Sequence, residues 1–199
     1  MSITVDYFLS TSSPWTYLAS KRFTDMASKA GATVNVYPSN FGAVFAVSGG
    51  LPLPKRAPQR QAYRMMELKR WKKRLSSPII LEPANFPSTA PISSHTIIAA
   101  REAGEDALEL SNQILAALWE EDSNIDDPSV IEEICYACGM DGAALVAAAN
   151  EPAIAQKFEV DTKLAIDRGV FGAPSYIIND EIFWGQDRLE FVAEALGVG

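Results

Sequence analysis

The stretch Val5-Asp-Tyr-Phe-Leu-Ser-Thr-Ser-Ser-Pro-Trp-Thr-Tyr-Leu-Ala19 joins a β-branched and aromatic run to a segment that carries helix-start signals. Residues 3–9 read as a buried strand. Ser13 is a good N-cap, and Pro14 suits the first helical turn, where its missing N–H costs nothing. The helix is expected to run to about Lys29, with Gly31 as its stop. Thr33 to Tyr37 alternates and reads as a second strand, ended by Pro38. Strand, helix and strand in this order begin a parallel βαβ unit.

Beyond Pro38 the pattern changes. Residues 39–58 are rich in Gly, Pro and Phe and are expected to be irregular. Gln59 to Leu75 reads as a helix, and the prolines at 78, 83, 87 and 91 predict a loop over 76–91. Helices are expected over 92–103, 107–121, 128–139, 142–150 and 152–168. Strand chemistry returns at Ser175–Ile178, followed by an Asn179-Asp180 turn and a returning strand Glu181–Trp184. Gly185 breaks that strand, and Asp187 is expected to cap a last helix ending near Leu196. This order predicts an α/β protein: a thioredoxin-like fold with an inserted all-helical domain. Residues 1–38 and 169–199 would form the thioredoxin-like domain, helix 152–168 would bridge, and 39–151 would be the insert.

Composition limits the partners. The chain has 199 residues, 48% of them hydrophobic, and a net charge of −8. That length buries a core without staples. The negative balance argues against nucleic acid or an anionic membrane as the main partner. No apolar stretch reaches a membrane span. Two cysteines and no basic leader point to the cytoplasm. The charge is uneven: Lys55 to Arg74 holds nine basic residues against Glu67 alone. Such a run is either a solvated helix face or a local field for small anions, and both can hold together.

The junction at Ser13 raises the chemical question. A helix N-terminus offers unpaired N–H groups and about half a positive charge, which favours an anion such as a thiolate. A thiol-disulfide enzyme would carry Cys-x-x-Cys here, but this chain has Ser13 and Thr16. Ser13 is either a plain N-cap or a hydrogen-bond donor to a thiol brought by a ligand. A second segment, Val170 to Ser175, places Ala173-Pro174 just before a strand. In thioredoxin-like folds the matching loop holds a cis X-Pro bond facing the first helix, although an ordinary trans loop fits the sequence equally. A third, Phe183 to Arg188, offers Asp187 as an N-cap or as a carboxylate for the ammonium end of a peptide-like ligand.

Three other features have simpler readings. Cys135 and Cys138 lie at the C-terminal end of an expected helix, where the dipole disfavours a thiolate, so they read as buried structural cysteines. Two cysteines and the single His95 do not make a metal site. His95 reads as surface or structural, and Trp71 and Trp119 as core or interface.

Several segments occur in the order seen in one known family. They are Ser12-Ser-Pro-Trp-Thr-Tyr-Leu-Ala19; Tyr63 with Leu68, Arg70 and Trp71; Pro83-Ala-Asn-Phe86; Gly169 to Ser175; and Glu181 to Leu189. Over nearly its whole length the chain resembles the 2-hydroxychromene-2-carboxylate isomerases, a DsbA-like group similar to kappa-class glutathione transferases. The resemblance implies a glutathione-dependent isomerase of aromatic catabolism, usually a homodimer, that acts on a small aromatic carboxylate. It implies that Ser13 faces the glutathione sulfur as the catalytic residue. Ala173, Pro174, Trp184, Gly185, Gln186 and Asp187 would line the glutathione site. Lys55, Arg56 and Phe86 would hold the organic substrate, with Lys55 or Arg56 taking its carboxylate and developing enolate charge. The sequence departs from the family at Glu67, Gln186 and Arg60, where Asp, Asn and Lys are usual, and in a longer 83–91 loop. A kappa-like transferase and a non-catalytic glutathione-binding module are the alternative readings.

Overall fold

The computed structural model describes residues 3–89 and 91–199. Thr4–Leu9 forms β1, Pro14–Ala30 α1 and Thr33–Pro38 β2. Helices α2 (Phe41–Ser48), α3 (Pro58–Leu75), α4 (Ile92–Ala103), α5 (Ala107–Glu121), α6 (Pro128–Ala137), α7 (Gly142–Ala149) and α8 (Pro152–Asp167) follow. Ser175–Ile178 (β3), Glu181–Trp184 (β4) and Leu189–Ala195 (α9) complete the chain. The sheet order is β2-β1-β3-β4. Strands β1 and β2 are parallel, with Tyr7 beside Val36, while β3 lies antiparallel to both β1 and β4.

Alternation in the strands divides the core between two faces of the sheet. On one face Val5, Tyr7, Leu9, Tyr176 and Ile178 join α1, α4, α5 and α9 in a single continuous cluster. On the other face Phe8 and Ile177 pack against Phe41 and Val44 of α2 and Ala165 of α8. At the centre, Phe23 of α1 sits 4.9 Å from the Tyr7 ring and 4.5 Å from the Tyr176 ring. Tyr7 and Tyr176 stack at 5.3 Å. Both phenols are fully buried without a partner among the described residues, and burial pushes them far above the usual phenol range. Asp6, the one charge in β1, accepts from Asn35 on β2 at 2.8 Å and pairs with Arg168 at 3.3 Å. Arg101 of α4 donates to the Val36 carbonyl and to Asp161 of α8, joining the insert to the sheet edge.

The boundaries follow local chemistry. Gly31 closes α1 at φ +60 and donates to the Ala27 and Ser28 carbonyls. Asn179 and Asp180 hold φ of +50 and +65, the left-handed pair that a two-residue hairpin turn needs. Two expectations fail. Residues 39–58 are not irregular throughout: Asn40 caps α2 by accepting from Gly42 and Ala43, and Leu53–Lys55 makes a 3-10 turn. The last helix is not capped by Asp187, which lies in a 3-10 turn (Gln186–Arg188) while α9 begins at Leu189. Among the described residues, no helix is long and apolar enough to cross a membrane.

The aromatic triad fixes α1 on the sheet, so Phe23→Ala is expected to cost about 3–5 kcal/mol. Urea unfolding measures this, and a loss below about 1 kcal/mol would refute the assignment.

Candidate active site

Helix α1 begins at the floor of a cleft of about 1620 Å³. A ligand pocket usually occupies about 300–1,000 Å³, so there is room for two small molecules side by side. Ser13 caps α1: its Oγ accepts from the Thr16 N–H at 3.2 Å. A hydroxyl has one proton to give, and accepting this bond leaves that proton free. Ser13 is half-buried and lines the cleft, whereas Thr16, in the frame of a second cysteine, is fully buried. The loop before Ser13 is braced by Thr11, whose hydroxyl lies 2.9 Å from that of Ser93 at the start of α4.

The Ala173-Pro174 peptide is cis. Ala173 lines the cleft, and among the described residues its N–H and C=O make no hydrogen bond. Pro174 is buried behind it, with its carbonyl accepting from Gly185 at 2.9 Å. Trp184 crosses over Gly172, where a Cβ would meet the indole nitrogen at 2.2 Å, so only glycine allows this approach. Phe171 supports the same indole at 4.8 Å. Gly185 turns the chain at φ +108, a region that side chains rarely adopt. Gln186 is buried, and Arg22 of α1 grips both its amide oxygen, at 2.6 Å, and its carbonyl, at 3.0 Å. Asp187 is exposed on the rim and pairs with Arg188 at 2.7 Å.

The opposite wall is cationic and aromatic. Phe86 stands 5.1 Å from Trp119 and 5.5 Å from the Arg64 guanidinium. Its loop is pinned by Asp122, which accepts from the Ala84 and Asn85 N–H groups at 2.9 and 3.0 Å. Those bonds hold the Asp122 carboxyl below the usual range. Asp126 takes the Ser88 hydroxyl at 2.6 Å in the same way. Arg56 donates to the Leu51 carbonyl at 2.7 Å and lies over Phe45. Burial and then Arg60 lower its pKa. Arg64 is likewise lowered, by burial first and by Arg56 second.

The structure thus brings Ser13, Ala173, Trp184, Gly185, Gln186, Asp187, Arg56 and Phe86 around one cleft, with Pro174 behind its wall. Lys55 is exposed and lies outside the lining. Sequence reasoning left out Arg60 and Arg64 as cleft residues; their i, i+4 spacing inside the basic run was the available signal. His95 and Trp71 also line the cleft, while Trp119 is core. His95 is tied through Nδ1 to the Ala149 carbonyl at 3.1 Å and meets the Phe158 ring edge-on. Among the described residues no group of His, Cys, Asp and Glu could hold a metal ion. Cys135 is buried and Cys138 half-buried; burial pushes the Cys135 thiol up to about 11 and raises that of Cys138.

Comparison with known proteins places this geometry among relatives. A family model described as a DSBA-like thioredoxin domain matches residues 4–197. A 2-hydroxychromene-2-carboxylate isomerase of Sphingobium xenophagum is 27% identical over 200 residues, covering 98% of this chain and 99% of the relative. The enzyme of the same name from Pseudomonas putida is 27% identical, covering 97% and 94%. A solved 2-hydroxychromene-2-carboxylate isomerase superposes with a TM-score of 0.82 at 27% identity, covering 98% of this chain and 94% of that one. The cytosolic disulfide reductase DsbM of Pseudomonas aeruginosa, solved with GSH, shares the fold at 16% identity and a TM-score of 0.67, covering 96% and 93%.

Ser13→Ala removes the acceptor for the Thr16 N–H and is expected to cost about 1 kcal/mol by urea unfolding; an unchanged midpoint would show that the cap does not hold the helix. Cys135 is expected to resist thiol reagents near neutral pH until the chain unfolds, and rapid labelling of the native protein at this residue would contradict its burial.

Proposed function

The chain belongs to the family of DSBA-like thioredoxin domains, and from that premise we propose that it is an isomerase that uses glutathione as cofactor. Its substrate is 2-hydroxychromene-2-carboxylate or a related unsaturated aromatic keto acid. The observation that carries this reading is the Ser13 hydroxyl. It is seated on a helix N-terminus in a cleft shared with the Ala173 backbone, unpaired among the described residues, and no cysteine stands in its frame. The full-length likeness to three isomerases of that name supports the reaction class.

The residues present fit glutathione. Ala173 offers one N–H and one C=O just before the cis Pro174, suited to pair with a peptide backbone. Trp184 and Gly185 form the wall beside it, and Asp187 on the rim, paired with Arg188 through Oδ2, offers its other carboxylate oxygen to an ammonium group. Gln186 acts on this wall chiefly through Arg22, which anchors the turn to α1. Bound glutathione supplies a sulfur nucleophile whose addition to the conjugated carbon makes the double bond single, and whose departure restores it in the other geometry.

The chain's own groups set the conditions for that chemistry. The α1 N-terminus and the free Ser13 proton lower the cost of negative charge on a sulfur placed there. Serine also cannot form a mixed disulfide, so nothing in the helix frame traps the thiol. Phe86 supplies an aromatic surface for the organic ring. Arg56 supplies positive charge for its carboxylate, with Lys55 outside the lining adding to the local field.

The test is isomerisation of a chromene carboxylate with a small amount of glutathione. Turnover that leaves the thiol titre unchanged supports the proposal. Thiol consumption would replace it with a transferase, and turnover independent of glutathione would overturn it. Ser13→Ala is expected to lower kcat by about 10–100-fold, the value of a hydrogen bond to a charged group. A loss of stability with full activity would leave Ser13 as a cap only.

A further inference from the structure

Arg56, Arg60 and Arg64 all line the same cleft, and Arg60 and Arg64 are one helical turn apart on α3. Among the described residues none of the three forms an ion pair. Three carboxylates share the cleft: Glu67 is engaged by Arg70 and Asp187 by Arg188, and among the described residues Glu159 forms no ion pair with any of the three arginines. Three guanidinium groups are more than one carboxylate needs, since a single fork pairs with both of its oxygens. Their placement also differs. Arg60 is exposed, Arg56 spends its Nε on the Leu51 carbonyl, and Arg64 is half-buried against Phe86. The only protein acceptor found for Arg64 among the described residues is the weak Met65 thioether, 3.7 Å away.

We propose that these three arginines form one array for two adjacent anionic oxygens, the carboxylate and the neighbouring 2-oxo oxygen of a 2-oxo acid, with Arg64 at the oxygen that gains charge. This rests on the isomerase reading and specifies its substrate contacts. When a nucleophile bonds to the benzylic carbon, the carbon–carbon π pair shifts toward the carbonyl. The carbonyl π pair then ends on the oxygen, and the reverse flow restores both bonds with no atom lost. The bound acid begins with one charged group and passes through a state with two, side by side. A donor aimed at the second charge from a half-buried position stabilises that state more than the ground state. The exposed Arg60 and the tethered Arg56 hold the carboxylate, which is charged throughout.

Calorimetric titration of the free protein tests this without glutathione or turnover. Oxalate presents two adjacent anionic groups, and acetate one. Oxalate is expected to bind at least about tenfold tighter, as one added charge-assisted pair would give. Arg64→Gln is expected to abolish the preference, and Arg60→Gln to weaken both ligands. Lys73→Gln, exposed and outside the cleft, is expected to change neither. Equal binding of oxalate and acetate, or a preference that survives Arg64→Gln, would overturn the array. In turnover, Arg64→Gln is expected to lower kcat with KM nearly unchanged, and Arg60→Gln to raise KM; the reverse pattern would overturn the division of roles. If glutathione-dependent isomerisation is absent while the oxalate preference and its loss in Arg64→Gln persist, the isomerase reading falls and the anion array stands.

Discussion

The packing of α1 on β1 is the constraint from which the site follows. Strand β1 is buried through Tyr7, Phe8 and Leu9, and the chain reaches α1 only a few residues later. Phe23, held between Tyr7 and Tyr176, fixes the helix along the sheet. The N-terminus of α1 therefore has to open at the end of the strand, with its positive end in the cleft. The same helix then reaches across to organise the other wall. Arg22, the residue just before Phe23, grips both oxygens of Gln186 and so sets the turn that presents Gly185 and Asp187. One helix supplies the electrostatic end of the site and braces its rim.

The elements that sequence revealed best were those whose signals are local. Gly31, the Asn179-Asp180 pair and the alternating strands each force their conformation by themselves, and the structure follows them. Helix α2 was hidden because Phe41 to Ser48 is almost wholly apolar. It shows no polar face, and its helical period is lost although Asn40 caps it. Asp187 misled for a related reason. An Asp before a helix reads as a cap, but Gly185 at φ +108 starts a tighter turn, and the carboxylate pairs with Arg188. The placement of Phe86 was beyond any local signal. Its loop is held by Asp122 and Asp126, more than thirty residues away in sequence.

The basic run between Lys55 and Arg74 shows how one stretch can carry two functions. Helical periodicity places Arg60 and Arg64 on the cleft, while Lys69, Lys73 and Arg74 lie outside its lining. The solvated face and the inward field are the two sides of one helix. In a chain of net charge −8 this matters for anionic ligands, which the molecule as a whole repels. Positive potential is concentrated at two places in the same cleft, the α1 terminus and the arginine wall. A cleft with low-dielectric aromatic walls focuses such a field instead of losing it to solvent.

On the proposed function these two positive places have different tasks, and their separation explains the choice of serine. A sulfur that must attack and then leave needs stabilisation that is modest and reversible. A capping hydroxyl with one spare proton gives this, whereas a cysteine in the same frame would form a bond to it under oxidation. The charge leaving the sulfur has to be received elsewhere as it moves, and a second positive centre across the cleft receives it. A single strong cation at the α1 end would hold the thiolate too firmly to react. Splitting the positive charge between a helix terminus and arginines on another helix lets the charge move from one to the other at low cost.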